Sequence, residues 1–181
     1  MVLPGHLAGG YLAARAVLFL THASFPPGQT TALLAIGTLA GELPDIDLVF
    51  FYFEHTSDKP EKIASHRDYI THVPLFWLAV SLVISSFGLL GHSAFIGYLG
   101  LMILAGTWSH FLLDSIAHGV RWLYPFTGKR FCLRERPHIC LPEREGTLAH
   151  HWHYMRSHYV KNISFYAEIL IVIAAICVLI R

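Results

Sequence analysis

Histidine and aspartate stand in this sequence at spacings that suit a metal ion. The run "HFLLDSIAH" places His110, Asp114 and His118 at i, i+4 and i+8, which on a helix share one face with modest drift. "HRDYITH" brackets Arg67 and Thr71 between His66 and His72. "LPDID" carries Asp45 and Asp47 at i and i+2, a spacing that cannot share a helix face. Pro44 disfavours regular helix there, so a local break would let both carboxylates turn toward one site. His6 lies near the start of the chain and Glu168 near its end. Imidazole and carboxylate together hold zinc or a similar divalent ion, and manganese or iron would accept the same donors. Arg67 offers a planar fork suited to phosphate or carboxylate.

Each of these residues has a plainer reading when taken alone. A histidine-x-x-x-aspartate pair is a common chance match. Arg67 reads as a topology anchor, Glu168 as a snorkelling interfacial residue, and Asp45 as a helix end. His22, His55 and His92 read as helix–helix hydrogen bonds, and "HHWHYMRSH", with His150, His151, His153 and His158, as a solvated interfacial loop. The joint set His6, Asp45, Asp47, His66, His72, His110 and Asp114 is harder to dismiss, because the elements that carry it deliver it to one place.

Those elements are apolar. The 181 residues are 54% hydrophobic and 14% charged, against about 25% charged in typical soluble domains, and the mean hydropathy is +0.50. The thirteen histidines equal Lys and Arg combined. Five apolar segments stand out, at roughly 5–21, 31–53, 73–91, 93–119 and 164–180. The third and fourth reach the ~20 residues a membrane span needs; the first and second are interrupted by polar residues. Helices satisfy backbone groups in lipid, so the expected fold is all-α. It is an integral membrane bundle of about five segments in one domain, with a long basic, His-rich loop before the last helix.

Lys59, Lys62 and Arg67 fall in the loop at 54–72. Arg121, Lys129, Arg130, Arg134, Arg136, Arg144, Arg156 and Lys161 fall in the loop at 119–163. The loops at 22–30 and 91–93 have neither Lys nor Arg. If every segment crosses, both basic loops and the N-terminus share one side, which the positive-inside rule makes cytoplasmic. His6, Asp45, Asp47, His66, His72, His110, Asp114, His118 and Glu168 then gather at that same face. Intramembrane ionisable groups are costly unless paired or bound to metal. No basic stretch precedes the N-terminal apolar run, so it does not read as a cleaved signal. Cys132, Cys140 and Cys177 show no metal-finger spacing; Cys132 and Cys140 could pair, and Cys177 reads as packing. Asn162-Ile163-Ser164 reads as an incidental glycosylation match.

"GHL", "LPDID", "SHRDYITH" and "SHFLLDSIAHG" occur in the order seen in the YdjM-like family of inner-membrane proteins, which are read as metal-dependent hydrolases. The resemblance covers roughly residues 1–126 and, weakly, the start of the last helix. More remotely, the family is similar to the zinc-dependent phospholipase C and single-strand nuclease superfamily, all-helical enzymes that gather His and Asp onto zinc. The resemblance implies that His6, Asp45, His66 or His72, His110, Asp114 and His118 are metal ligands. Glu168 follows Ser164 by four, where the soluble enzymes have a His-x-x-x-Glu/Asp pair. The family has Gly after its His-Arg pair, where this chain has Asp68.

The expected function is metal-assisted hydrolysis of a lipid or other amphiphilic phosphoester, using one to three ions, with zinc first. The metal ligands are drawn from His6, Asp45, Asp47, His66, His72, His110, Asp114 and Glu168. Arg67 would stabilise charge on phosphoryl oxygens, and Asp47 or His118 would act on protons. One rival is a divalent-metal transporter or sensor, which would spread ligands through the membrane depth. The other is an interaction protein whose basic loop docks a cytoplasmic or nucleic-acid partner. Anionic headgroups explain that loop equally well, and no specific nucleic acid is expected.

Overall fold

The computed structural model describes residues 3–50, 66–116, 118–133 and 159–180. Within them the chain is helical, with no named strand. The main elements are α1 (Leu3–Leu20), α2 (Pro27–Ala40), α3 (Pro74–Leu90), α4 (Ala94–Asp114) and α5 (Ile163–Leu179). Short 3-10 turns at Leu43–Ile46, His66–Asp68 and Ile70–His72 occupy the connections between α2 and α3. Local sequence explains several starts. Pro27 and Pro74 open their helices, where the missing N–H costs nothing. Ser93 accepts from the Ile96 N–H and Asn162 from the Ser164 N–H, capping α4 and α5.

The second apolar segment is not one helix over 31–53. α2 ends at Ala40, Gly41 and Glu42 turn, and the 3-10 turn follows. Pro44 sits inside that turn rather than at the break. The break falls earlier, at Gly41, which lies so close to the His6 carbonyl that any Cβ would collide with it. The fourth segment is likewise shorter than 93–119. α4 stops at Asp114, with Ser115 as its C-cap. His118 therefore lies in the turn beyond the helix, its N–H still bonded to the Asp114 carbonyl at 2.7 Å.

α4 is the central helix and packs on α1, α2 and α3; α5 packs on α1. Small residues permit the approach. A Cβ on Gly106 would run into the Gly37 carbonyl and the Ala40 side chain across the α2–α4 contact. The interior is small and polar at one end: His6, Asp47, His72, His110 and Asp114 are all buried. Phe19, Leu82, Phe87, Leu170 and Ile173, by contrast, are exposed on the outside. Among the described helices, only α4 is both long and apolar enough to cross a membrane. α3 and α5 are apolar but have 17 residues each, about 25 Å against a hydrocarbon core of about 30 Å.

His22 and His92 are not helix–helix hydrogen bonders. Both are exposed and sit in left-handed turns just past α1 and α3, with φ of 52° and 51°. His55, His150, His151, His153, His158 and Cys140 lie outside the described residues, and with Cys140 goes the question of the Cys132 pairing.

Candidate metal centre

Four stretches of chain converge at one end of the bundle. α1 brings His6, the 3-10 turn after α2 brings Asp45, the turn before α3 brings His72, and the last two turns of α4 bring His110 and Asp114. His6, His110 and Asp114 form one group whose ligand atoms lie within 4.8 Å of one another, and Asp45, His72 and His110 form another. The separations are informative. His6 Nε2 stands 3.5 Å from Asp114 Oδ1, His72 Nε2 stands 3.6 Å from Asp114 Oδ2, and His110 Nε2 stands 3.6 Å from Asp45 Oδ1. These distances are long for hydrogen bonds. Two donors each about 2.0–2.1 Å from a tetrahedral ion stand roughly 3.3–3.4 Å apart, so the observed spacing is close to what atoms sharing a cation would have.

Satisfaction of the polar atoms supports the same reading. His6 Nε2, His110 Nε2 and Asp45 Oδ1 are buried and have no hydrogen-bond partner among the described residues. Buried polar atoms are nearly always paired, so an unpaired, convergent set needs an explanation. A divalent ion supplies one, and the donor set fits it. Meanwhile the opposite edges of two rings are held. His110 Nδ1 lies 2.8 Å from the Gly41 carbonyl, and His72 Nδ1 lies 3.1 Å from Asp47 Oδ2. Such contacts place the ring proton on Nδ1 and turn Nε2 toward the carboxylates, as the atom that would ligate an ion. An imidazole nitrogen binds one ion, and the Nδ1 of His110 is already engaged. The two groups that share His110 therefore describe one centre. His6 stacks on His110 with ring centroids 3.8 Å apart, and Phe111 packs edge-on against His110 and His72.

Asp47 and Asp45 thus separate. Asp45 faces the Nε2 of His110, whereas Asp47 lies behind His72, fully buried, where its Oδ2 also accepts from the Thr71 hydroxyl at 3.3 Å. That places Asp47 as the carboxylate that orients His72 rather than among the ligand groups. Arg67 donates Nε to Asp114 Oδ2 at 3.1 Å, and His118 Nδ1 is 3.4 Å from Asp114 Oδ1. The side chains of Asp45, Arg67 and His118 are each 19% exposed and form the mouth of an otherwise closed site. Burial pushes His118 down to about 4, against the pull of Asp114, so it is neutral at neutral pH. Burial also opposes charge on His72, but the neighbouring Asp114 and Asp47 carboxylates outweigh this and raise it.

Glu168 is at this end of the molecule but in neither ligand group. Its Oε1 accepts from the Gly5 N–H at 3.0 Å and its Oε2 from the Tyr159 hydroxyl. The carboxylate caps the start of α1 one residue before His6, and so positions that helix. For His66 the backbone lies in the 3-10 turn His66–Asp68, and the side chain is outside the described residues. Sequence reading missed the Gly41 carbonyl, because a backbone ligand-orienter leaves no side-chain signature. It also gave Glu42 no role beyond interrupting an apolar run, although Glu42 Oε1 is buried without a hydrogen-bond partner among the described residues.

A family model described as YdjM inner membrane protein matches residues 1–181. The match extends the resemblance from the first two thirds of the chain to all of it. No curated protein and no solved structure matches, so no match ties the chain to the zinc-dependent phospholipase C superfamily.

Proposed function

The chain belongs to the YdjM inner membrane protein family, and from that premise we propose that it is a membrane-bound, metal-dependent hydrolase acting on a phosphoester at the cytoplasmic face. The observation that carries this is the set of unpaired, convergent atoms His6 Nε2, His110 Nε2 and Asp45 Oδ1, beside the Asp114 carboxylate, with a cationic fork at the mouth. A transporter would need donors along a path. Among the described residues the buried His and carboxylate donors lie at one end, and α3 carries no His or carboxylate.

The ligands would be drawn from His6, His72, His110, Asp45 and Asp114, with one position left open for water, zinc being the best match to imidazoles with carboxylates. Bound there, a divalent ion acidifies water to a pKa near 7 and polarises a phosphoryl oxygen. The chain's own groups do the rest. The Asp47 carboxylate and the Gly41 carbonyl fix the tautomers of His72 and His110. Arg67, held through Nε, stands at the mouth where phosphoryl charge would enter. His118, neutral and partly exposed, is placed to take a proton at the mouth. Lipid on the outer surface of the bundle makes an amphiphile with a phosphate headgroup the fitting substrate class. The multi-pass arrangement belongs to this reading.

The test is purified protein, metal analysis and a panel of lipid phosphoesters. Metal-dependent release of a phosphorylated headgroup, lost in the His110→Ala/Asp114→Ala double variant, is the expected result. Full turnover by that variant would sink the catalytic reading. Metal-dependent uptake into proteoliposomes without hydrolysis would replace it with transport.

A further inference from the structure

Beyond α4 the chain forms a small hairpin that the metal chemistry does not use. Val120 and Phe131 exchange both backbone hydrogen bonds, at 3.0 and 2.9 Å, and the Leu133 N–H reaches the Ser115 carbonyl at 2.8 Å. Trp122 donates to the Ser115 hydroxyl at 3.0 Å. The hairpin is thus pinned to the end of the helix most able to cross a membrane. Its outer surface is apolar: Phe126 is 86% exposed and Leu133 70%, with Leu123 and Phe131 also exposed. Lys129 and Arg130 are exposed beside them. Soluble surfaces seldom concentrate large apolar groups in so short a stretch.

A second set of contacts ties this hairpin to the centre. Asp68 pairs with Arg130 and, at 3.5 Å, with Arg121, while Arg121 Nη2 donates to the Arg67 carbonyl at 3.1 Å. Arg67 in turn holds Asp114. Asp68 offsets one of the three cations Arg121, Lys129 and Arg130, so the assembly stays positive.

We infer that the 120–133 hairpin is an interfacial anchor that dips Leu123, Phe126, Phe131 and Leu133 into the headgroup–acyl boundary of an anionic bilayer, latched through Asp68 to the metal centre. The partner is the lipid surface. Exposed apolar groups interleaved with cations fit it, and the hairpin follows directly from the C-terminal end of the apolar helix α4. The inference rests on membership in an inner membrane family, not on hydrolysis.

The experiment places a reporter in the hairpin of the full chain. In a background with Cys132, Cys140 and Cys177 changed to Ser, Phe126→Cys carries an environment-sensitive fluorophore, and Leu123→Cys serves as a second site. Each protein is reconstituted one copy per nanodisc, with zwitterionic or anionic lipid. Expected are blue-shifted emission, quenching by lipids spin-labelled near the glycerol, and at least twofold stronger quenching in anionic discs. Lys129→Glu should remove most of that lipid-charge dependence. Water-like emission with full quenching by aqueous iodide at both sites would overturn the inference. So would a blue shift seen only when several copies share a vesicle, which would mean that a second copy of the chain covers the hairpin. No readout depends on turnover or metal, so failure here and failure of the hydrolase reading are separable.

Discussion

The two ends of the bundle carry similar residue types and put them to different use. At one end His6, His72 and His110 are buried and convergent, and two of them are held from behind by an acceptor. At the other, His22 and His92 are exposed turn residues with positive φ. His92 borders an apolar cavity of about 500 Å³ shared with Ser85, Gly88 and Tyr98, and no carboxylate lines it. The difference teaches that histidine content alone was a poor guide to the site. What sets the candidate ligands apart is burial and convergence with carboxylates, joined in His72 and His110 by a ring held at Nδ1.

The harshest way to break the contrast is to remove Asp114. It stands against His6, His72, His118 and Arg67 at 3.1 to 3.6 Å, so its loss takes a proposed ligand and leaves a largely buried guanidinium without this carboxylate. Asp114→Ala should lower bound metal to background and cost the metal-free protein about 3–5 kcal/mol, read by elemental analysis and by unfolding in detergent. Retention of stoichiometric metal would show that the centre is built from other donors.

A smaller effect sharpens the distinction between holding an ion and holding a ligand. Asp47→Ala frees the back of His72 without removing a donor, and should weaken metal binding about 10–100-fold. Asp47→Asn keeps an acceptor for the Nδ1 proton and should fall between that variant and the native chain. If Asp47→Ala instead abolishes binding as completely as Asp114→Ala, Asp47 is itself a ligand.

These roles bear on what the sequence could show. The spacing of His110 and Asp114 was legible, because i and i+4 share a helix face and both lie on α4. The place where α4 ends was not, so His118 was assigned to a helix it does not belong to. Pro44 advertised a break, but the break begins at Gly41, where contact with the His6 carbonyl, distant in sequence, forbids a side chain. Asp45 and Asp47 point different ways at i and i+2, yet nothing local says which faces the candidate centre; that depends on Asp47 lying behind His72 and Asp45 facing His110. Glu168 was grouped with the ligands because it falls at the same end. Only the packing of α5 on α1 shows that it serves the N–H of Gly5. The all-helical class was legible from composition, whereas crossing could not be assigned to each segment, since among the described helices α4 alone has both the length and the apolarity.

Acid should weaken the same end selectively. A protonated imidazole cannot ligate, and the Asp114 and Asp47 carboxylates raise the proton affinity of His72. Protons therefore compete for it at higher pH than for a free imidazole of pKa about 6.5. Metal affinity should rise with pH through that region and then level off, with proton release on binding. Titration calorimetry in buffers of different ionisation enthalpy reads that release directly. Asp47→Ala should shift the rise toward lower pH, because it removes one of the interactions that hold the proton. An unshifted profile would mean that His72 is not the titrating ligand.

The smallest expected effect belongs to the other end. His92→Ala removes an exposed turn residue with no carboxylate beside it in the cavity it borders, so metal content and pH profile should not move, and stability should change by no more than about 0.5 kcal/mol. His92→Gly should be slightly stabilising instead, because glycine adopts positive φ without strain. Both variants keep the number of removed imidazoles equal to that of His110→Ala, so the three together separate position from composition. Metal loss in His92→Ala comparable to that in His110→Ala would mean that the two ends are coupled through α4, and the contrast between them would fail.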